Sequence, residues 1–149
     1  MNTHHFLLVI HLLAATVWVG GHLILLFGFW FKARTTKDIN LIDQFRKRYE
    51  LVGMPALIIL LITGIWMSFN FGITLDSWLH FSTPLERVVS LKLILLICTM
   101  AMAFSVQIFW FRKGKTPSFK VLSILIWTVT FLGVCMLLFG TMFRYGGLK

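Results

Sequence analysis

Two histidines inside one apolar segment are the residues best placed in this chain to do chemistry. His11 and His22 fall in the run from Phe6 to Phe31, which carries no Asp, Glu, Lys or Arg. Imidazole is a proton carrier, a metal ligand and an axial ligand of haem iron. At 100° per residue, the step between them leaves the two rings about 20° apart around a helix and about 16 Å apart along it. They share one face at different depths. Ala14, Trp18 and Gly21 lie on that face too, and Ala14, Gly21 and Gly28 repeat at heptad spacing. Small residues in a membrane helix admit a neighbouring backbone, so this face is expected to look into a helix bundle. The plain alternative is that each imidazole bonds to a backbone carbonyl or hydroxyl and serves packing.

Lys92 is the second candidate. It sits about five residues, or about 7 Å, inside an apolar segment that begins after Arg87, and the proposed spans hold no Asp or Glu to pair with it. An ammonium at bilayer depth costs a few kcal/mol unless it snorkels or finds a partner. Either Lys92 reaches the interface, or its counter-ion is an anionic ligand such as a haem propionate or a quinone oxygen held beside His11. Met67 is expected at about the depth of His11 and is a candidate second axial ligand. Bis-histidine ligation needs a histidine on another helix, and the other three apolar segments contain none.

Soft donors offer a different chemistry. Cys98, Met100 and Met102, with Cys135 and Met136, are sulfur ligands of the kind that suits Cu(I), although methionine and cysteine are also ordinary fillers of apolar packing. Outside the apolar segments, His4, His5 and His80 are candidates to receive a metal ion, alongside His11 and His22. The two cysteines match neither a disulfide framework nor a zinc pattern and are read as thiols.

These residues need a membrane scaffold to position them. The chain has 149 residues, 58% of them hydrophobic and 13% charged, which is too apolar for an ordinary soluble domain. Four apolar segments, about 6–31, 51–71, 88–111 and 119–142, are each long enough to cross a bilayer. They predict one all-α domain, an antiparallel four-helix transmembrane bundle. Pro55 is expected in the first turns of the second helix, where a missing N–H costs least. The first segment is too long for a signal-peptide core and lacks a cleavage site, so it is expected to remain in the mature protein.

The formal charge of +9 has a topological reading that makes a nucleic-acid partner unnecessary. Six basic residues lie in the connection from Lys32 to Glu50 and four between Arg112 and Lys120. By the positive-inside rule both connections are cytoplasmic. Both termini and the connection from Gly72 to Arg87, which contains His80, then face the periplasm of a bacterial inner membrane.

His11-Leu-Leu-Ala-Ala-Thr-Val-Trp18-Val-Gly20-Gly21 resembles the opening helix of the copper-resistance protein D (CopD) family. Phe45-Arg-Lys-Arg with Leu-Leu-Ile-Thr-Gly64 resembles its second helix, and Ser82-Thr83-Pro84 through Leu91-Lys92-Leu93 resembles the lead into its third. A more distant similarity is to the HemJ type of protoporphyrinogen oxidase, carried by His11, Pro55-Ala56 and Lys92; the continuation Gly20-Gly21-His22-Leu23 departs from that family's arginine-containing ending. The first resemblance implies copper binding, transport or tolerance, with a periplasmic copper carrier as partner. The second implies haem b near His11 and Lys92. The unpaired Lys92 at the depth of His11 supports a runner-up reading, a haem b redox protein that passes electrons between quinone and an external acceptor such as cupric ion or a porphyrinogen. A single four-helix unit implies a homo-oligomer or partner if it transports, and an accessory subunit without chemistry is the third reading.

Overall fold

A computed structural model describes residues 3–112 and 118–144. The chain is all-α. Helix α1 (Thr3–Ile24) runs through a π-helical segment, Leu25–Trp30, into α2 (Phe31–Thr36). Helix α3 spans Asn40–Asn70, a short 3₁₀ turn covers Leu75–Ser77, and α4 (Pro84–Arg112) and α5 (Phe119–Arg144) complete the chain. Four helical stretches, His4–Thr36, Asn40–Asn70, Pro84–Ser105 and Phe119–Met142, have the length and hydropathy of membrane spans.

The distribution of apolar side chains is that of a protein solvated by lipid. Leu13, Phe27, Leu51, Phe104 and Phe131 are each at least 60% exposed. Such a surface is unfavourable in water and neutral in hydrocarbon, where packing rather than the hydrophobic effect joins the helices. Helix α1 is the central element. It packs on α3 along one side and on α5 along the other, and α4 packs on α5. Helices α3 and α4 make little contact with each other among the described residues.

The first connection is far shorter than the hydropathy profile suggests. The stretch expected as a basic loop, 32–50, is helical except around Lys37, Asp38 and Ile39, and α3 begins eleven residues before the expected position 51. Its opening turns are charged yet internally paired. Arg46 bonds Asp43 at 3.0 Å and Glu50 at 3.2 Å, and Lys47 bonds Asp43 at 2.8 Å. These are i,i+3 and i,i+4 pairs, the spacing that supports a helix. Lys37 takes a left-handed conformation (φ 55°) to end α2, and the Asp38 carboxylate accepts the Asn40 amide at 2.9 Å. Pro55 therefore lies in the interior of α3 and not in its first turns. It leaves the Leu51 carbonyl without its usual helical donor, a defect that membrane helices tolerate.

At the far end of α3, Gly72 (φ 75°) turns the chain in a conformation that favours glycine, and Ile73 folds its amide back onto the Ser68 carbonyl at 3.1 Å. Helix α4 opens with a capping box: the Thr83 hydroxyl accepts the Glu86 amide at 3.2 Å, and the Glu86 carboxylate accepts the Thr83 amide at 3.1 Å. The resemblance segment Ser82-Thr83-Pro84 thus includes this helix start. Lys113 and Lys115, counted in the basic connection, lie outside the described residues, as does Lys149.

The π segment shifts the phase of the buried face. Before it, Ala14, Trp18 and Gly21 are buried, as the shared-face argument requires; within it and just beyond, burial falls on Leu26, Trp30 and Ala33. One extra residue in a π turn advances the register by one position. Gly28, third in the expected small-residue heptad, is consequently exposed, and an added Cβ there would meet only Ile24 of its own helix, at 3.9 Å. In its place Trp30, the last residue of the π segment, joins that segment to α5, donating its indole N–H to the Ser123 hydroxyl at 2.8 Å.

Candidate functional site

The two histidines of α1 enter separate polar clusters, one towards each end of the bundle. At the end that carries Thr3, Asn70, Pro84 and Arg144, the His11 Nδ1 lies 2.7 Å from the Thr63 hydroxyl of α3. Thr63 has one proton and gives it to the Ile59 carbonyl at 2.6 Å. It therefore accepts from His11, which places the imidazole proton on Nδ1 and leaves Nε2 with a lone pair. Gly64 makes room for the ring: a Cβ there would stand 3.4 Å from His11 Cε1.

Lys92 belongs to the same region. His11 is eight residues into α1 and Lys92 eight residues into α4, about 12 Å from each helix start. Its Nζ lies 3.3 Å from the position a Cβ would take on Gly140 of α5. Gly140 is four residues from the last residue of α5, so the ammonium reaches from its Cα towards the nearer end of the bundle, the direction a snorkelling lysine takes. None of the three ion pairs among the described residues involves Lys92.

The other predicted residues are more dispersed. Thr63 and Gly64 stand level with His11, and half-buried Met67 lies one turn nearer the end of α3. His4 and His5 are neighbours with ring centroids 6.2 Å apart, and His4 packs edge-on against Phe71 at 5.2 Å. His80 is exposed, and its carbonyl accepts from the Ser90 hydroxyl at 2.9 Å. Cys98 is exposed and Cys135 half-buried. Among the described residues, no three His, Cys, Asp or Glu side chains converge where they could hold a metal ion.

The second cluster surrounds His22. Its Nδ1 donates to the Trp18 carbonyl at 2.8 Å, and its ring lies against Trp18 (centroids 4.6 Å) and edge-on to Tyr49 (5.8 Å). The Tyr49 hydroxyl has one proton to share between the Trp18 carbonyl at 2.9 Å and the Val17 carbonyl at 3.0 Å. Its ring occupies a slot made by two glycines. A Cβ on Gly21 would overlap the Tyr49 ring, and a Cβ on Gly53 would stand 2.7 Å from Tyr49 Cε1. Gly21 is thus where the small-residue face of α1 receives α3. Sequence reasoning missed Tyr49, Arg46 and Glu50 because it assigned them to a loop. The spacing of Asp43, Arg46, Lys47 and Glu50 is the signal that would have placed them on a helix.

Four apolar spans, a lipid-facing outer surface and polar side chains gathered within the bundle define a multi-span α-helical membrane protein. The chain matches, over residues 5–139, the family described as "Predicted integral membrane protein (DUF2269)". It belongs to that family. No curated protein and no solved structure matches it.

Proposed function

We propose that the chain is a bacterial inner-membrane redox protein that holds a haem b type group through His11 and Lys92. The observation that carries this reading is the Thr63 relay, which fixes His11 with Nε2 as its lone-pair nitrogen. A tetrapyrrole brings four nitrogen donors of its own, so one imidazole would suffice on the protein side, and Met67 would be a candidate further ligand. It also brings carboxylates, which match an ammonium that takes no part in the ion pairs among the described residues. When bound, such a group supplies one-electron chemistry. His11 would orient it and Lys92 would neutralise its negative edge, while Thr63 holds the His11 ring and the apolar spans would exclude water.

Bare copper would have to draw on methionine sulfur as well, since no three His, Cys, Asp or Glu side chains converge among the described residues. Copper handling, implied by the CopD resemblance, is the second reading. It is favoured by the adjacent His4 and His5 rings, which would receive the ion from a periplasmic carrier or share it with a second copy of the chain. In either reading the basic end of the bundle faces the cytoplasm and both termini face the periplasm.

The test is to purify the protein in detergent from cells supplied with haem precursor and copper, then measure extractable haem and bound copper on one sample. About one haem per chain supports the redox reading. Copper without haem transfers the assignment to copper handling, and neither leaves the accessory subunit.

A further inference from the structure

An open groove of about 670 Å³ lies at the basic end of the bundle, between the π segment and α2 on one side and the first turns of α5 on the other. Its volume is in the range of small-molecule sites. Arg34 and Lys120 line it together with Trp30, Ser123, Ile124 and Trp127, and its lining holds no Asp or Glu. We infer that this groove binds an anionic phospholipid, its phosphate held by Arg34 and Lys120 and an acyl chain laid along Ile124 and Trp127. The groove is remote from His11, so the assignment stands whether or not that residue holds a haem.

Charge complementarity selects an anion. The chain has five acidic side chains, and none of them lines the groove. Asp43 and Glu50 pair with Arg46 and Lys47, the Asp38 carboxylate accepts the Asn40 amide, and Asp76 and Glu86 lie at the opposite end of the bundle. No ion pair among the described residues involves Arg34 or Lys120. Arg34 is instead placed by Trp30, whose ring centroid is 5.3 Å from the guanidinium carbon. That contact orders the guanidinium without giving it a counter-charge. Trp30 is itself fixed: it is buried, bonded to Ser123, and edge-on to Trp127 with centroids 5.8 Å apart. A guanidinium fork and an ammonium on facing walls are the donors that phosphate oxygens take.

Depth selects a lipid over a free anion. Lys120 is the second residue of the last span, and Trp127 comes seven residues later, about 10 Å deeper along the helix. The headgroup layer on one side of the hydrocarbon is about 5–8 Å thick, so the groove passes from charged to apolar within its length. On the deeper stretch Ile124 and Trp127 are 56% and 45% exposed. A phospholipid presents an anion at the first depth and hydrocarbon at the second, and basic pockets between helix ends take such headgroups.

The test is native mass spectrometry of the full chain, purified in detergent, with dioleoylphosphatidylglycerol or dioleoylphosphatidylcholine added at equal concentration. Phosphatidylglycerol is expected to be retained at about one per chain, and about tenfold more than phosphatidylcholine. Arg34→Gln combined with Lys120→Gln removes that preference. Lys32→Gln combined with Lys37→Gln keeps it, since these exposed cations lie at the same end but do not line the groove. Inorganic phosphate at the lipid's concentration leaves the lipid bound. Equal retention of the two lipids by the wild-type protein, or displacement by inorganic phosphate, would overturn the assignment without recourse to any variant. So would a preference that survives the first pair of substitutions or is lost equally with the second.

Discussion

Replacing Gly21→Ala should be among the most damaging single-methyl changes in this chain. The added Cβ would overlap the Tyr49 ring, which cannot retreat because Gly53 confines its other edge, a Cβ there standing 2.7 Å from Cε1. Either the ring swings out and surrenders its bonds to Val17 and Trp18, or α1 and α3 separate. Overpacking costs about 1–3 kcal/mol and the lost hydroxyl bond about 1 more, so the total is about 2–4 kcal/mol. For a chain of this size that lowers the melting temperature by about 5–15 °C. Gly20→Ala is the control, since nothing lies within 4 Å of a Cβ there; it should stay within about 1 kcal/mol of wild type. The assay is thermal unfolding in detergent of Gly21→Ala, Tyr49→Ala and the double variant. Most of the Gly21→Ala cost should vanish in the Tyr49→Ala background. A Gly21→Ala protein as stable as Gly20→Ala, or an equal cost with and without Tyr49, would refute the slot.

Other perturbations test neighbouring parts of the account. Thr63→Val removes the acceptor that orients His11 while keeping the side-chain shape; haem retention should fall about 10–100-fold, and Thr63→Ser should restore it. Lys92→Gln should weaken retention while Lys92→Arg preserves it, measured as haem recovered after a detergent wash; equal recovery from both would reduce Lys92 to a snorkelling residue. Trp30→Phe should cost about 1 kcal/mol through loss of the Ser123 bond, read from the same melting assay. His80→Cys, in a background lacking Cys98 and Cys135, should react with a membrane-impermeant thiol label in intact spheroplasts. Labelling only after lysis would reverse the orientation.

The positions of apolar residues were enough to place four spans, and the angular offset between His11 and His22 anticipated burial of Ala14, Trp18 and Gly21. Those inferences rest on period and length, which sequence displays directly. The start of α3 was hidden because hydropathy treats Asp43, Arg46, Lys47 and Glu50 as solvated loop residues, although their spacing neutralises them along one helical face. The displacement of Gly28 from the buried face follows from a π turn, a backbone event to which the heptad pattern is blind. Thr63 illustrates a third kind of omission. It stands within the quoted segment Leu-Leu-Ile-Thr-Gly64, yet its effect on His11 depends on which helices meet. The Tyr49 slot likewise requires Gly21 and Gly53, thirty-two residues apart in sequence, to face the same ring.

The central claim is that His11 Nε2 is the protein's ligand to a haem b type group. Its most direct test is the dithionite-reduced visible spectrum of His11→Ala, purified beside wild type and recorded with and without added imidazole. Wild type should show a reduced cytochrome spectrum that is lost in His11→Ala and returns when imidazole occupies the space left by the side chain. A His11→Ala protein that keeps the wild-type spectrum without imidazole would contradict it.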